Sequence, residues 1–339
     1  MNETSGIDGR VLVTAKAPST YRRLWAGLVG RVASLADKET KVSTRGFTVQ
    51  RPEIVERLEA IGGHFAWGYN RAVRCVSLPE LTDALALRSN ADSGFAYEGA
   101  AMGLAVSDWM TPGRRFFDAY LEGAASPHEY MSWVGLGWSI ARLPVSPMRA
   151  LSRYGSLNKW LALDGYGFHE GYFNWRRSVV KRDRPRRLRG DAARIFDQGL
   201  GRSLWFVRGA DPVAVATAIG TFEESRRRDL WAGAGLAATY AGGATAEALR
   251  ILRDRAGSHY PALAQGVVFA AEARRRARNS VPDAELACSE LLGISLTSAA
   301  DIAIAAIPVG DDSLAAYQRW RFAIQEQCQA LKIARVDSH

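Results

Sequence analysis

Short strings in the first part of the chain return further along at a nearly constant separation. Phe65-Ala-Trp-Gly68 resembles Phe196-Asp-Gln-Gly199, and Tyr97-Glu-Gly99 resembles Trp231-Ala-Gly233. The two members of each matched pair lie between 131 and 134 residues apart. Unrelated matches would not keep one register. The strings therefore predict an internal duplication, and the fold must be one that can be built twice.

The local signals for secondary structure are mostly those of helices. Pro52 and Pro282 each precede apolar residues at helical spacing, and Ser77-Leu-Pro-Glu80 has the form of a capping box. Asp211-Pro212 begins another helix, whereas the helix that starts at Pro52 is expected to stop at Gly62-Gly63. Runs of strand type are too short to build a sheet, so the sequence predicts a mainly α fold.

The duplication divides the chain into five segments. Both repeated halves carry helix signals, and the stretch between them has a composition of its own. In chain order we predict an N-terminal amphipathic and basic arm (1–45), a first helical half (46–150), a connecting segment (151–189), a second helical half (190–280) and a C-terminal helical tail (281–339).

Glycines recur at four-residue spacing inside the predicted helices. Gly99 and Gly103 form one such pair, and Gly167 and Gly171 form another. Because glycine costs about 1 kcal/mol relative to alanine inside a helix, its repeated use predicts that helices approach one another closely. Small residues that face large aromatic ones resemble tandem helical hairpins of the tetratricopeptide type, although the sequence shows no strict 34-residue period.

The composition is that of a globular protein rich in arginine. The chain has 339 residues, of which 47% are hydrophobic, and a net charge of +9. Only six of its 44 basic residues are lysine, and arginine can bind carboxylates and phosphates through two hydrogen bonds. Three widely spaced cysteines predict no disulfide framework. The polar N-terminus lacks the apolar region of a secretion signal, so we expect a cytoplasmic protein.

The densest group of chemically useful side chains lies between Leu163 and Trp175. This segment holds Asp164, His169 and Glu170 among five aromatic residues. Apolar surroundings raise the pKa of a carboxyl group, and a neighbouring imidazole offers a second proton acceptor. The segment is therefore a candidate for general acid–base catalysis. The alternative is that these side chains form salt bridges with the many arginines.

Two further acidic residues lie in glycine-rich and aromatic surroundings. Glu98 precedes a glycine, and Asp229 precedes a leucine–tryptophan pair. We take both as candidate catalytic groups. The alternative is a network of Asp and Arg side chains that holds the two halves together, with Asp197 and Arg202 among its members.

Aromatic residues are frequent enough to line a cavity for a long apolar or conjugated molecule. The chain has ten Trp, eleven Tyr and twelve Phe. Ordinary core packing is the alternative for any single one of them. The residues that we predict to bind the apolar substrate are Tyr97, Trp138, Tyr166, Phe168, Tyr172, Trp205 and Trp231.

The stretch from Arg176 to Arg189 is strongly basic. It contains eight basic residues and one acid, Asp183. Such a run can dock a phosphate, an acidic acyl carrier protein or nucleic acid, or it is a solvated connector. No nucleic-acid reader motif accompanies it, so we expect no sequence-specific nucleic-acid binding. The candidates for contact with an anion or a carrier protein are Arg176, Arg177, Arg184, Arg186 and Arg187.

An amphipathic helix is predicted near the N-terminus. Leu24, Leu28 and Val32 follow helical spacing, and Arg23 and Arg31 lie beside them. A helix of this kind packs on its own domain or lies on a membrane surface as a peripheral contact.

Motifs of the familiar cofactor-dependent enzymes are absent from the sequence. There is no phosphate-binding loop, no nucleophile elbow and no C-x-x-C pair. The stretch Gly165-Tyr-Gly-Phe-His-Glu-Gly171 misses the spacing of a dinucleotide fingerprint. His169 and Glu170 are not followed by the second histidine of a zinc protease. We therefore predict neither a cofactor nor a metal.

Six strings are long enough to be specific: Arg45-Gly-Phe47, Gly94-Phe-Ala-Tyr-Glu-Gly-Ala-Ala-Met102, Val134-Gly-Leu-Gly-Trp138, Leu163-Asp-Gly-Tyr-Gly-Phe-His-Glu-Gly-Tyr-Phe173, Phe196-Asp-Gln-Gly-Leu-Gly-Arg-Ser-Leu-Trp-Phe206 and Asp229-Leu-Trp-Ala-Gly-Ala-Gly-Leu-Ala-Ala-Thr-Tyr-Ala-Gly242. Together they resemble a bacterial family of unknown function whose members are commonly encoded beside enediyne-type iterative polyketide synthases. The resemblance covers about residues 45–325. It implies a role in natural-product biosynthesis on a polyene-derived intermediate, and it implies no catalytic residues.

Two hypotheses follow for the function. In the first, the protein is a cofactor-independent enzyme that isomerises or cyclises a long conjugated molecule in an aromatic pocket, in the manner of a terpene cyclase. His169, Glu170 or Glu98 would move protons, and Asp164 would orient His169. In the second, it is a helical-repeat scaffold that shelters a reactive intermediate or docks an acyl carrier protein or the polyketide synthase. We expect Glu98, Asp164, His169 and Asp229 to converge on one pocket.

Overall fold

A computed structural model describes residues 20–49, 51–88 and 91–336, and every regular element within these ranges is helical. The predicted mainly α fold is thereby confirmed. Short 3₁₀ turns lie at Asp37–Thr40, Ser126–His128, Leu157–Trp160 and Gly257–His259, and a π turn at Arg176–Val180. The α-helices are α1 (Thr20–Ala33), α2 (Val42–Arg45), α3 (Pro52–Val73), α4 (Leu78–Ala86), α5 (Ser93–Met110), α6 (Phe116–Glu122), α7 (Glu129–Arg142), α8 (Pro147–Leu151), α9 (Leu161–Phe173), α10 (Gly190–Val207), α11 (Pro212–Gly220), α12 (Glu224–Tyr240), α13 (Ala246–Ala256), α14 (Tyr260–Arg276), α15 (Pro282–Leu292), α16 (Leu296–Ala305) and α17 (Leu314–Val336).

The long helices pack on one another in succession along the chain. α3 packs on α5, α5 on α7, α7 on α9, α9 on α10, α10 on α12 and α12 on α14. Their buried apolar faces join in one continuous core. Shorter, partly exposed helices connect one long helix to the next.

The order of the helices repeats along the chain. The sets α3 to α7 and α10 to α14 both run long, short, long, short, long. In each set a 3₁₀ turn precedes the last helix, at Ser126–His128 and at Gly257–His259. The two sets carry the matched strings of the sequence, and a duplicated sequence produces such an order. The boundaries of the five segments stay a prediction, and residues 1–19 of the first segment lie outside the described residues.

Neighbouring long helices touch backbone to backbone at glycines. A Cβ atom at Gly99 would lie 2.0 Å from the carbonyl oxygen of Phe65, and one at Gly167 would lie 1.9 Å from the carbonyl oxygen of Phe196. No side chain fits at such a distance, so the helix axes can come this close only where glycine is present. The predicted close approach of the helices is confirmed.

The contact glycines of the central helices keep a regular spacing. Gly165, Gly199 and Gly233 follow one another at intervals of 34 residues, and Gly266 comes 33 residues later. At each of the four, a Cβ would lie 2.0 Å or less from a carbonyl oxygen of the neighbouring helix. The period is not strict along the whole chain, since Gly135 and Gly165 are only 30 residues apart.

Two predicted helix starts carry the caps that the sequence indicates. Ser77 Oγ accepts a hydrogen bond from the N–H of Glu80 at the start of α4. Asp211 Oδ1 accepts from the N–H groups of Val213 and Ala214 at the start of α11. Each cap satisfies N–H groups that have no partner within the helix.

The predicted end of the Pro52 helix at Gly62-Gly63 is wrong, because α3 continues to Val73. The residues that follow the two glycines include Phe65 and Tyr69, and both of these side chains are buried. Their burial outweighs the cost of about 1 kcal/mol for each glycine, so tertiary packing overrides the local signal.

The second half folds back onto the first where α12 meets the start of α5. A Cβ at Gly94 would lie 2.0 Å from Tyr240 Oη, and the rings of Phe95 and Tyr240 are 5.3 Å apart. The buried Arg274 donates hydrogen bonds to the carbonyl oxygens of Ala91 and Tyr240. Residues from both halves therefore share one core at this junction.

The C-terminal helix α17 is part of the core. The rings of Trp320 and Phe269 are 4.6 Å apart, and Tyr317 packs beside Trp320. The fully buried Arg321 donates to Asp229 Oδ1 over 2.7 Å. The tail thus supplies both apolar and charged contacts to the second half.

The predicted N-terminal helix is present as α1. It is held to the body by the buried Val29 and by a 3.0 Å hydrogen bond from Trp25 Nε1 to Thr111 Oγ1. Leu24, Leu28 and Val32 are exposed on its other side.

No single helix of the described chain is long and apolar enough to cross a membrane. One pair, Pro282–Leu292 with Leu296–Ala305, reaches the required length and composition together but is bent by 71°.

Replacing Gly199 by alanine tests the backbone contacts. Its Cβ would lie 1.7 Å from the carbonyl oxygen of Asp164 and 2.8 Å from the N atom of Phe168, so α9 and α10 would have to separate. We expect Gly199→Ala to lower the free energy of unfolding by about 3 kcal/mol or more, measured by urea unfolding followed by circular dichroism.

Gly63→Ala is the matched control, because Gly63 is also inside a helix but has no atom within 4 Å of its Cβ position. This change should stabilise the protein by up to about 1 kcal/mol. Equal effects of the two substitutions would contradict the role given to the contact glycines.

Candidate active site

Four buried polar atoms that lack a hydrogen-bond partner among the described residues lie together in the core. They are Glu98 Oε1, Trp138 Nε1, Arg202 Nε and Tyr240 Oη. Glu98 interacts electrostatically with Arg202, and Tyr240 interacts with both. Buried polar groups are nearly always hydrogen-bonded, so several such atoms in one place make this region a candidate functional site. We call Glu98, Trp138, Asp164, Arg202 and Tyr240 the Glu98 cluster.

An ion pair between Asp164 and Arg202 forms the base of the cluster. Arg202 Nη1 donates to Asp164 Oδ1 over 2.6 Å, and Gln198 Nε2 donates to Asp164 Oδ2 over 2.7 Å. Both members of the pair are buried. The guanidinium of Arg202 also lies 4.6 Å from the ring centroid of Phe168. Arg202 is thus fixed by a carboxylate on one side and an aromatic face on another.

Glu98 is the carboxyl group that this ion pair leaves without a full countercharge. Glu98 is only 1% exposed to solvent. Burial raises the pKa of Glu98 to about 8, and the negative charge of Asp164 acts in the same direction, against the lowering effects of Arg202 and Trp138. Because the cost of burying the charged form exceeds the stabilisation by Arg202, Glu98 is mostly protonated at neutral pH.

Glu98 lines a small cavity whose wall is largely aromatic. The cavity has a volume of about 30 Å³, which is room for one or two water molecules. Its polar lining atoms come from Glu98, Thr40, Trp138 and Tyr172. We call this cavity the aromatic pocket; its aromatic lining residues are Phe65, Phe95, Trp138, Phe168, Tyr172, Phe173 and Phe206.

A second small cavity lies on the other side of the cluster. Arg202 and Tyr240 line it together with apolar residues that include Met131, Leu236 and Phe269, and its volume is also about 30 Å³. The polar cluster therefore has a small apolar space on each side.

A chain of buried hydrogen bonds connects the cluster to Asp229. Gln265 Nε2 donates to Gln198 Oε1, and Arg321 Nε donates to Gln265 Oε1, each over 3.3 Å. Arg321 then donates to Asp229, whose other oxygen accepts from Arg194 over 3.1 Å. Asp229 therefore reaches Asp164 only through three intervening side chains, and its own oxygens are held by two arginines.

His169 and Glu170 lie at the edge of the aromatic pocket and are held by neighbours. The rings of His169 and Trp138 are 5.6 Å apart, and His169 Nε2 accepts a 3.4 Å hydrogen bond from Arg142. Burial lowers the pKa of His169. The neutral imidazole accepts from Arg142 through Nε2, so its Nδ1–H group donates to Glu170 Oε1, 3.3 Å away.

Glu170 also accepts hydrogen bonds from Asn174 and Arg177, both over 3.2 Å. Burial raises the pKa of Glu170, but the hydrogen bonds from His169 and Asn174 and the positive charge of Arg177 outweigh it, so the pKa is lowered. This carboxyl group is ionised and fully engaged.

The sequence predicts that Asp164 orients His169. This prediction is wrong, because the hydrogen bonds of Asp164 go to Gln198 and Arg202. Glu98 and His169 are nevertheless linked, because both lie against Trp138. The structure thus brings Glu98, Asp164 and His169 into one region and leaves Asp229 at the far end of a buried network.

The seven predicted substrate-binding aromatics separate into two groups. Trp138, Phe168 and Tyr172 line the aromatic pocket. The others are buried elsewhere in the core: Tyr97 stacks on His128 at 4.0 Å, Tyr166 accepts a hydrogen bond from Arg187, Trp205 donates to the carbonyl oxygen of Gly242, and Trp231 lies in the core.

The arginine run mostly makes contacts within the protein. Arg184 pairs with Asp197 at 3.0 Å, Arg177 pairs with Glu170, and Arg187 donates to Tyr166 over 2.8 Å. Arg176 lies over the ring of Trp175, and Arg186 is exposed.

Asp197 accepts from Arg226 through both oxygens, over 3.0 and 2.6 Å. Together with the Asp164–Arg202 pair, this contact shows that buried Asp and Arg side chains pair in the core, but neither pair connects the first helical half with the second, as the predicted network would. The two pairs join neighbouring helices of the core.

Sequence reasoning missed Tyr240 and Gln198 as parts of the site. Gln198 lies one helical turn before Arg202 in α10, so the two side chains face the same neighbour. Tyr240 comes from the other side of the junction with α5, where Gly94 leaves room for its hydroxyl group. Only the three-dimensional packing brings Tyr240 to the cluster.

Within the described ranges, no group of three or more His, Cys, Asp or Glu side chains could hold a metal ion. Cys75, Cys288 and Cys328 are free and buried. Burial raises the pKa of each thiol, to about 11 for Cys75 and to about 12 for the other two.

The fold and the site define an all-helical protein whose core holds an arginine, two carboxyl groups and an enclosed aromatic pocket. The chain belongs to a family described as a protein of unknown function (DUF1702), whose family model matches residues 24–328. Neither a curated protein nor a solved structure matches this chain.

The stability of a Glu98→Gln variant tests the protonation of Glu98. The pKa of this group rises from an ordinary value of 4.5 to about 8 in the fold. As pH rises, Glu98 therefore loses its proton in the unfolded chain before it does so in the folded protein. This difference lowers the free energy of unfolding as pH rises from about 4.5 to about 8. Glu98→Gln removes this fall. We expect its free energy of unfolding, relative to the native chain, to increase by about 3 kcal/mol or more across that range.

Glu122→Gln at the exposed end of α6 is the control and should leave the pH dependence unchanged. Urea unfolding at a series of pH values measures both variants. The same pH dependence in the native chain and in Glu98→Gln would show that Glu98 ionises normally.

Proposed function

We propose that this protein is a cofactor-independent enzyme of natural-product biosynthesis that moves a proton on a long, apolar, conjugated molecule. The observation that carries the proposal is the buried, mostly protonated Glu98, whose Oε1 makes no hydrogen bond of normal length and angle and which lines an aromatic pocket beside Trp138. The sequence resemblance to proteins encoded beside enediyne-type polyketide synthases supplies the substrate class, a polyene-derived intermediate.

The chemistry needs only the residues of the Glu98 cluster. A carboxyl group with a pKa of about 8 is present in both protonation states near neutral pH, which suits a group that both gives and takes a proton. Glu98 donates its proton to one carbon of the polyene, and a C–H bond forms. The delocalised cation then loses a proton from another carbon to the Glu98 carboxylate. The double bonds shift and the enzyme is regenerated.

The neighbours of Glu98 stabilise the charges that this cycle creates. Arg202, positioned by Asp164, faces the carboxylate that Glu98 becomes after it has given up its proton. The faces of Trp138 and Phe168 line the space where the cation forms. A cyclisation would use the same first step, with the cation attacked by another double bond before the proton is lost.

The pocket must open for a substrate to enter, because its volume of about 30 Å³ is far below that of a polyene-sized ligand. Thr40 forms part of its wall and belongs to the short 3₁₀ turn Asp37–Thr40, which lies on α3. Movement of this turn would open the pocket at Thr40.

A non-catalytic role is the second candidate, in which the protein shelters an intermediate or docks a carrier protein. The engagement of Glu170 and Asp229 by arginines favours it, because those carboxylates are not free to react. In that case the long helices would act as tandem hairpins of the tetratricopeptide type, produced by duplication. Arg176 and Arg186 are exposed, form no ion pair with a described residue and would contact the acidic carrier protein. The exposed Leu24, Leu28 and Val32 of α1 would support a peripheral membrane contact.

Deuterium uptake from solvent separates the two candidates. The purified protein is incubated in D₂O with the polyene extracted from cells that express the partner polyketide synthase, and the polyene is then analysed by mass spectrometry. We expect deuterium to enter the polyene with the native protein. We expect Glu98→Gln to slow this uptake by about 100-fold or more, because it removes the proton donor.

Glu122→Gln serves again as the control and should take up deuterium at the native rate. Binding of the polyene without deuterium uptake, or equal uptake with Glu98→Gln, would favour the non-catalytic role.

A further inference from the structure

A large cleft lies on the face of α3 that points away from the aromatic pocket. Its volume is about 880 Å³, within the range of sites for small organic ligands. Small residues form part of its floor, and the Cβ position of Gly63 has no atom within 4 Å. We call this space the α3 cleft; besides Gly63, its lining includes Ala60, His64, Ala66, Trp67, Asn70, Arg71, Arg74 and Arg88.

Three arginines line this cleft, and two of them lie against the half-buried Trp67. The guanidinium groups of Arg71 and Arg88 lie 5.7 and 4.5 Å from the ring centroid of Trp67. Arg74 donates to the carbonyl oxygen of Asn70 in its own helix. None of the three arginines forms an ion pair with a described residue, although most arginines of this core do.

The acidic residues of the cleft do not neutralise these arginines. Glu59 is occupied by Lys41 and by the N–H of Val42, at 2.7 and 3.0 Å. Asp37 and Glu80 line the same space without pairing with an arginine there. The cleft thus combines uncommitted guanidinium groups with a flat aromatic surface, which is the arrangement that binds an organic anion.

The α3 cleft and the aromatic pocket share one wall. α3 presents Leu58, Ile61 and Phe65 to the pocket, and Thr40 borders both spaces. A Cβ at Gly62 would lie 2.7 Å from Thr40 Cβ, so the turn Asp37–Thr40 rests directly on the helix. A displacement of this turn from α3 would therefore join the cleft and the pocket at Thr40.

We propose that the substrate is an amphiphile whose anionic head group, a carboxylate or a phosphate, binds to Arg71 and Arg88 in the α3 cleft. Its apolar chain passes beneath Thr40 into the aromatic pocket and reaches Glu98. The head group and the reacting carbon are then separated by about the width of a helix, about 10 Å. This inference rests on the proposed function, since it names the substrate class for the same site.

Binding of cis-parinaric acid, a fluorescent conjugated tetraene with a carboxylate, tests the inference on the full chain. Its fluorescence rises when the tetraene leaves water, and its methyl ester has the same chain without the charge. We expect the acid to bind about tenfold more tightly than the ester. The double variant Arg71→Ala/Arg88→Ala should lose that difference and bind the ester as the native protein does.

Arg255→Ala is the control for the loss of an exposed arginine, because Arg255 lies on α13 away from the cleft. Inorganic pyrophosphate that competes with the acid but not with the ester would indicate that phosphate head groups are also accepted. Equal affinity of the native protein for acid and ester, no binding of either, or an unchanged preference in the double variant would overturn the inference.

The outcome is independent of the catalytic test. If Glu98→Gln loses deuterium uptake but the native protein does not prefer the charged probe, the proposed enzymatic activity is supported and the proposed head-group site is rejected. A charge preference without any deuterium uptake would leave a binding protein for anionic amphiphiles.

Discussion

The close contact between helix backbones at glycines is the constraint on which the rest of the structure depends. Glu98 precedes Gly99, Asp164 precedes Gly165, and Arg202 follows Gly201. A Cβ atom added at any of these glycines would lie about 2 Å from a carbonyl oxygen of a neighbouring helix. A polar side chain next to such a contact enters the space between helices instead of solvent. The packing device therefore also places two carboxyl groups and one arginine in the core.

Burial and an imbalance of charge decide the chemistry of this core. Burial raises the pKa of Glu98 more than the facing Arg202 lowers it. The hydrogen bond of Arg202 goes to Asp164, whose other oxygen accepts from Gln198. Glu98 is then left with a proton and an unused oxygen. Leaving such a group unsatisfied costs stability, which is common at sites where a protein keeps a reactive group available. The same imbalance gives Arg202 a role, because it can stabilise Glu98 only when Glu98 is ionised.

The sequence was sufficient for the helical class, for the helix starts at Ser77 and Asp211 and for the close packing at glycines, because these follow from local rules. It was also sufficient to select Glu98, Asp164 and His169, which the structure brings into one region of the core. It failed where the outcome depended on distant partners. The end of α3 was set by burial of Phe65 and Tyr69 against other helices. The partners of Asp164 came from α10, and no periodicity within α9 specifies which helix will lie opposite.

The protonation state of Glu98 in the folded protein is the central claim, and infrared difference spectroscopy tests it most directly. Spectra of the native chain and of Glu98→Gln are compared across a pH series. The account predicts the C=O band of a neutral carboxylic acid at neutral pH, lost as the pH passes about 8 and missing from Glu98→Gln. A difference spectrum that shows only ionised carboxylate at neutral pH would contradict the account, because Glu98 would then have no proton to donate.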